Sequence, residues 1–206
     1  MEEIKNFKLI LVDPNLALCQ AWKERFKGYK KVEIVNDYFE NIAEFDCMVS
    51  AANSFGLMDG GVDLAIARYF GAKLPAKVRE KIQSEFFGEQ PVGTSMIVET
   101  GHEKHPFLAH TPTMRVPLKI TRTDNVYSAK FAMLRAVANH NRTSEKKIKV
   151  VVCPGLGTAT GQVSPKEAAR QMELAYQNFY NPLRFFSWSN VFARQNKIVY
   201  GGDLFG

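Results

Sequence analysis

The chain has 206 residues, 46% hydrophobic and 23% charged, enough to bury a substantial core and without a low-complexity segment. No apolar run approaches the roughly 20 residues that a bilayer crossing needs, and Met1 to Lys5 lacks the charged-then-apolar layout of a signal peptide; the composition predicts one domain over 1–206, soluble, cytoplasmic and without a membrane partner. A formal net charge of +6 and a pI near 9.2 favour an acidic partner but are too diffuse to choose one.

Cys19, Cys47 and Cys153 form an odd set with no close pair, which argues against a disulfide framework or a zinc knuckle and for reduced core thiols. Lys146, Lys147 and Lys149 make the densest basic group. They lie where a loop enters a strand, a position that reads as a solvated edge rather than a nucleic-acid groove.

In chain order, Lys8 to Val12 predicts a strand, and Asp13-Pro14 the cap and first turn of a helix carrying Leu18, Trp22 and Phe26 inward. Val32 to Val35 is a second strand ending in Asn36-Asp37. Cys47 to Ser50 is a third, short and apolar enough for a buried parallel strand. A polar, glycine-bearing loop follows, and then Val62, Ala65, Ile66, Tyr69 and Phe70 fall on one helical face. Asp59 reads as that helix's N-cap, and Gly60-Gly61 leaves the first backbone N–H groups bare enough for a phosphate. The plain alternative is a strand-to-helix connection with no ligand.

Pro75 opens a helix with Val78, Ile82 and Phe86 on one face, closed by Gly88. Ser95 to Thr100 and Phe107 to Thr111 predict strands around a turn at Gly101, after which Asp124 or Asn125 caps a helix bearing Tyr127, Phe131, Leu134 and Ala138. Ile148 to Cys153 is an apolar β-branched run. Ser164-Pro165-Lys166-Glu167 is a capping box with proline at the first helical position, opening a helix that buries Ala168, Met172, Ala175, Tyr176 and Phe179. Lys197 to Tyr200 predicts a late edge strand.

Two units therefore share one grammar: an apolar strand, a loop of glycines and hydroxyls, and a helix. The second loop is Pro154-Gly155-Leu156-Gly157-Thr158-Ala159-Thr160-Gly161. Paired loops of this kind at the carboxyl edge of one sheet suit a pyrophosphate. No G-x-x-x-x-G-K-[ST] is present, and Gly155, Gly157 and Gly161 are spaced one residue too long for the dinucleotide fingerprint. The four histidines form no H-E-x-x-H. His102 and His105 around Glu103 read as a solvated turn rather than a zinc site, His110 as a hydrogen-bonded core or rim residue, and Ser54 has no nucleophile-elbow pattern around it. No metal and no cofactor is expected.

These two loops resemble those of the macro-domain family. Its first loop has the form Asn-Ala-Ala-Asn, a few residues, glycines, then Val-Asp opening a helix; Ser50-Ala51-Ala52-Asn53 and Gly60-Gly61-Val62-Asp63 match it in order and spacing. The second loop is similar to Pro154 to Gly161. The resemblance spans roughly Val32 to Tyr180, leaving extensions at both ends, and implies a three-layer α/β/α sandwich around a mixed β-sheet.

It also implies an ADP-ribose or ADP-ribosylated ligand. Asp37 would accept from the adenine amino group, with Asn36 in place of the family's glycine. Ala52, Gly60, Gly61 and Val62 would face the ligand from the first loop, and Gly155, Gly157, Thr158, Ala159, Thr160 and Gly161 from the second. In the family's hydrolases the residues matching Asn53 and Asp63 orient the distal ribose and position water. An aspartate at a helix N-terminus is favoured as the anion, which suits a water-orienting group and weakens it as a base.

Met58-Asp59 stands where many relatives have two further glycines, and Ala67 where the hydrolase branch often has a histidine. Ala159-Thr160-Gly161 replaces a stretch that often holds a bulky residue on the distal ribose; Phe55 or an aromatic from Phe185-Phe186-Ser187-Trp188 is available instead. The reading that follows is an ADP-ribose-binding domain hydrolysing an ADP-ribosyl conjugate or ADP-ribose 1″-phosphate, with nucleic acid entering only as a modified substrate. The alternatives are a non-catalytic ADP-ribose reader and a basic nucleic-acid-binding domain.

Overall fold

A computed structural model describes residues 3–202; the two residues before and the four after, which the expected 1–206 domain includes, lie outside it. Six strands form one sheet in the order β2-β1-β6-β3-β5-β4: β1 is Lys8–Val12, β2 Val32–Val35, β3 Cys47–Asn53, β4 Met96–Glu99, β5 Phe107–Met114 and β6 Val150–Cys153. Every pairing is parallel except β4 on β5, where Met96 lies opposite His110 and Glu99 opposite Phe107. The sheet is therefore mixed, with its one antiparallel strand at an edge.

Helices cover both faces, because strand residues alternate between two apolar clusters. Leu9, Leu11, Cys47, Val49, Val151 and Cys153 point to one side, where α1 (Leu16–Arg25), α4 (Asn125–Thr143) and α5 (Pro165–Tyr180) bring Leu18, Trp22, Met133, Val137 and Met172. Ile10, Val12, Met48, Leu108 and Val152 point to the other, under Ile66 of α2 (Gly61–Phe70) and Leu74, Val78 and Ile82 of α3 (Lys73–Phe86). This is the α/β/α sandwich that the sequence predicts. Cys19, Cys47 and Cys153 are buried free thiols, as expected.

Several local expectations are corrected. The cap of α1 is Asn15, whose side chain accepts from the N–H groups of Ala17 and Leu18; Asp13, two residues earlier, is used elsewhere. The cap of α2 is Gly60, with no side-chain bond from Asp59. Helix α3 ends on Phe87 in the left-handed region, one residue before Gly88. Lys197 to Tyr200 is not a strand: α6 (Trp188–Ile198) runs into it, started by Ser187 Oγ accepting from Asn190 N–H at 3.2 Å. With the sheet edges already formed by β2 and β4, Ile198 instead packs on Tyr127 and Ala175. Ser164 does cap α5, accepting from Glu167 N–H at 3.3 Å, with Pro165 first in the helix.

Candidate functional site

Since β1, β2, β3, β5 and β6 are parallel, the loops after them all open on one edge of the sheet, the edge where open α/β sheets bind ligands. Asp13, just beyond β1, ties three of these ends together. Its Oδ2 accepts from Gly155 N–H at 3.1 Å and its Oδ1 from Asn15 N–H at 2.9 Å, while Asn36 Nδ2 donates to its carbonyl at 2.9 Å. The α1 start, the β2 exit and the second loop are thus fixed to one another by a residue that reads from sequence as a mere cap.

In the second loop only two amides close turns, Gln162 N–H on Ala159 O at 3.1 Å and Val163 N–H on Gly157 O at 3.0 Å. The N–H groups of Leu156, Gly157, Thr158, Ala159, Thr160 and Gly161 have no protein acceptor among the described residues. Consecutive free amides are the backbone element from which anion-binding concavities are built. The connection after β5 leans on the loop through Ile120 N–H, which donates to Gly161 O at 2.9 Å, and it brings Lys119 and Arg122 in the chain beside that contact. The Ile120 contact depends on the β5–α4 crossover, so local sequence spacing does not reveal it.

In the first loop, Gly60 and Gly61 face open space: a Cβ on either would meet nothing within 4 Å. The first N–H groups of α2 are uncapped by any side chain and carry the partial positive charge of a helix start. Met58 is buried beneath the loop in the α2/α3 cluster and Asp59 is exposed. Asn53 turns its amide back on its own loop, Oδ1 accepting from the N–H of Phe55 at 3.0 Å and of Leu57 at 3.3 Å, and Nδ2 donating to Leu57 O at 2.8 Å.

Asp63 sits in the first turn of α2 and is 5% exposed. Ser50 Oγ donates to its Oδ1 at 2.6 Å. Burial pushes the Asp63 carboxyl up to about 6, the charge of Asp59 adds to the rise, and the Ser50 bond opposes it. The expectation that the helix N-terminus would hold Asp63 firmly as the anion is therefore corrected: desolvation outweighs the helix dipole here.

Asp37, beyond the end of β2, is half-buried. Its Oδ1 accepts from Tyr38 N–H at 2.7 Å and from Asn41 Nδ2 at 2.8 Å. Three strand spacings separate the end of β2 from the end of β3, roughly 14 Å at about 4.8 Å each, so only an elongated ligand reaches from Asp37 to Gly60-Gly61. Ala52 is buried at the foot of the first loop, and the β3–β5 register slips between Ala52 and Asn53.

The remaining candidates fall elsewhere. Phe185 to Trp188 lie by the C-terminal end of α5, since Arg194 of the following helix donates to Asn178 O, whereas the second loop feeds the N-terminal end of that 16-residue helix, about 24 Å away. The tail is thus remote from a ligand at the loops. His110 is buried and bonded through Nδ1 to Gln90 Oε1 at 2.6 Å, and burial pulls it down to about 3. His105 stacks on Phe45 with Nδ1 2.8 Å from Phe45 O. Lys147 donates to Asn141 O at 2.7 Å and Lys146 lies over the Phe107 ring, so that basic group braces the α4–β6 turn. No cluster of three or more His, Cys, Asp or Glu able to hold a metal occurs among the described residues, and no helix there is long and apolar enough to cross a membrane. An open concavity of about 500 Å³ between α3 and the β4–β5 strands, lined by Lys77, Glu80, Glu99 and His140, shares no residue with either loop.

An open α/β sheet with two amide-lined loops at its carboxyl edge defines a class of nucleotide- and phosphate-binding folds. Within that class, the macro-domain model matches residues 49–172, more than half the sequence, and the chain belongs to the macro-domain family. An uncharacterized protein of Aquifex aeolicus is 33% identical over 127 residues, 62% of this chain and 70% of that one. Among solved structures, a glycine-to-valine mutant of the Oceanobacillus iheyensis macrodomain with ADPR superposes with a TM-score of 0.59 at 20% identity, covering 94% of this chain and 93% of that one. Thermosipho africanus DarTG in complex with ADP-ribose gives 0.54 at 10% identity, covering 84% of this chain and half of that protein. At such identities the structural likeness concerns the fold alone.

Proposed function

We propose that this protein binds ADP-ribose along the carboxyl edge of its sheet and hydrolyses an ADP-ribosyl conjugate there. The observation that carries the reading is the run of six amides from Leu156 to Gly161 without a protein acceptor among the described residues, in a loop at the same edge as the uncapped start of α2. Two backbone anion sites suit the two phosphates of a pyrophosphate. Asp37, at the far end of the edge, would accept from an exocyclic adenine amine. The macro-domain relatives recorded with ADPR and with ADP-ribose support this choice of ligand.

Hydrolysis rests on Asp63. A carboxyl with its pKa raised to about 6 by burial is close to the working pH, where a general base is most effective. In the proposed step a water oxygen bonds to the anomeric carbon of the distal ribose, and its proton passes to the Asp63 carboxylate. The bond to the carried group breaks, and the electron pair leaves with that group. Asn53 orients the distal ribose indirectly, by holding the 53–57 turn.

A second reading, the non-catalytic reader, is favoured by one observation: the Asn53 amide is already bonded within its own loop rather than free to hold a ribose. Product release from aspartyl-, glutamyl-, seryl- and nucleic-acid-linked ADP-ribose and from ADP-ribose 1″-phosphate separates the two. We expect turnover of at least one substrate, lost in Asp63→Asn while binding of free ADP-ribose survives. Binding without release from any of them, or an unchanged rate in Asp63→Asn, leaves the reader.

A further inference from the structure

Four aromatic side chains crowd eight consecutive positions on the outside of the molecule: Phe185 is 79% exposed, Phe186 84%, Trp188 78% and Phe192 56%, with Val191 between them at 36%. Trp188, Val191 and Phe192 have the i, i+3, i+4 spacing of one helical stripe, and the Trp188 and Phe192 rings touch at 5.8 Å between centroids. Helix α6 is held to the body from its other flank. Ile198 is its sole buried residue, Arg194 donates to Asn178 O, and Arg170 reaches the Lys197 carbonyl. An 11-residue helix is too short to be stable alone in water, and here its apolar stripe faces away from the core.

At about 200 Å² for a whole aromatic side chain, the four rings leave roughly 600 Å² in water. That is the upper end of what a monomer shows in one apolar patch, roughly 300–600 Å². Two such patches placed face to face bury about 1,200 Å² in rings alone, the lower bound of a stable protein interface.

The charges select the occupant. From Leu174 to Gly202 there is no Asp or Glu, and the cations are Arg184, Arg194 and Lys197. Arg194 and Lys197, however, line the groove between α6 and α5 with Asn190 and Ala193, on the side of the helix opposite the rings. A helix lying on anionic lipid needs its cations flanking the apolar face, and a single-stranded nucleic-acid site needs them in a groove beside the stacking rings. Neither arrangement is present, and the ring face is left nearly uncharged.

We propose that this face is the twofold interface of a homodimer, α6 packing on α6 of a second copy with Phe185, Phe186, Trp188 and Phe192 at its centre. An isologous contact of this kind closes on itself and leaves the carboxyl-edge loops open. Arg184 sits at the rim, where its repulsion from the second copy is screened beyond about 8 Å at physiological ionic strength.

Sedimentation velocity on the full chain tests this over a range of about 1–100 µM, because dimer population follows protomer concentration. Wild type should shift from the 23.3 kDa monomer to twice that mass, and about 1 M NaCl should leave the shift unchanged or strengthen it. Phe186→Glu, in the segment before the helix, should weaken association by roughly 100-fold or more, as expected for a central aromatic anchor, with an unaltered circular dichroism spectrum. Arg184→Glu should remain dimeric. A monomeric wild type at the highest concentration, a Phe186→Glu protein that dimerises like wild type, or a dimer that dissociates in high salt would each overturn the proposal. So would wild type that stays monomeric and instead sediments with anionic vesicles or single-stranded DNA.

Discussion

Apart from Gly56, where a Cβ would meet Val78 at 2.8 Å, the glycines of the two loops look alike in sequence and do opposite things. In the first, Gly60 and Gly61 border nothing, and a Cβ on either would enter open space. In the second, a Cβ on Gly155 would lie 2.5 Å from Leu18 Cδ2 and 2.7 Å from Asp13 Oδ2. One on Gly157 would lie 2.9 Å from both Ile120 and Val126, and one on Gly161 only 2.5 Å from the Gly157 carbonyl oxygen. The first loop leaves room for a ligand. The second uses its glycines so that the chain can fold tightly against itself, while its amides from Leu156 to Gly161 find no protein acceptor among the described residues. Motif glycines therefore do not by themselves mark where a phosphate approaches.

The largest effect that separates the loops is on stability. For Gly157→Val, the contacts above, together with a φ of +70° at this position, predict a damaged fold. Overpacking alone costs about 1–3 kcal/mol and a left-handed β-branched residue adds about 1–2 kcal/mol. The melting temperature should fall by roughly 4–20 °C, at about 2–4 °C per kcal/mol for a chain of this size. A Gly157→Val protein that melts with wild type would show that the second loop is as open as the first.

Next in size is the carboxyl behind the first loop. The Asp63 value of about 6 lies above the ordinary 3.8, so the native state holds the proton more tightly than the unfolded chain. The stability this contributes is complete below about pH 3.8 and is lost as pH rises through about 6, to the extent of about 3 kcal/mol. Asp63→Asn keeps an acceptor for Ser50 without the buried charge. Relative to wild type it should therefore gain about 2.4 kcal/mol between pH 4 and pH 7.5, read from urea unfolding at the two pH values. A stability difference independent of pH would mean that Asp63 is solvated. A neutral-pH gain coupled to lost turnover would identify a charge kept for chemistry at the expense of stability.

The smallest effect on the fold, and the cleanest on the site, belongs to Gly60→Val. Gly60 has an extended φ of −148° that any residue adopts, so the change should cost less than about 1 kcal/mol as a poorer cap. A valine at the helix start should still weaken ADP-ribose binding by roughly 30-fold or more, about 2 kcal/mol. Unchanged affinity would move the pyrophosphate away from α2.

The sheet was legible because its strands are short apolar runs bounded by turn residues, and both loops because their residue order is distinctive. What stayed hidden depends on contacts between distant residues. Asp63 is raised by burial, only partly offset by a bond from Ser50, thirteen positions upstream on another element, and no local pattern reports that burial. Asp13 reads as a helix cap because aspartate before proline usually is one, yet Asn15 caps better here and frees Asp13 to hold Gly155, 142 residues away. Ile198-Val199-Tyr200 has strand-like composition, and the helix signal at Ser187 is the one that prevails, as the Ser187 bond to Asn190 shows.

Isothermal titration of the wild-type chain with ADP-ribose, with ADP in parallel, tests the central claim most directly. Saturable binding of one ADP-ribose per chain is expected, with weaker binding of ADP, which lacks the distal ribose proposed to lie beside the first loop. Neither heat nor thermal shift with millimolar ADP-ribose, or equal affinity for the two nucleotides, would contradict it.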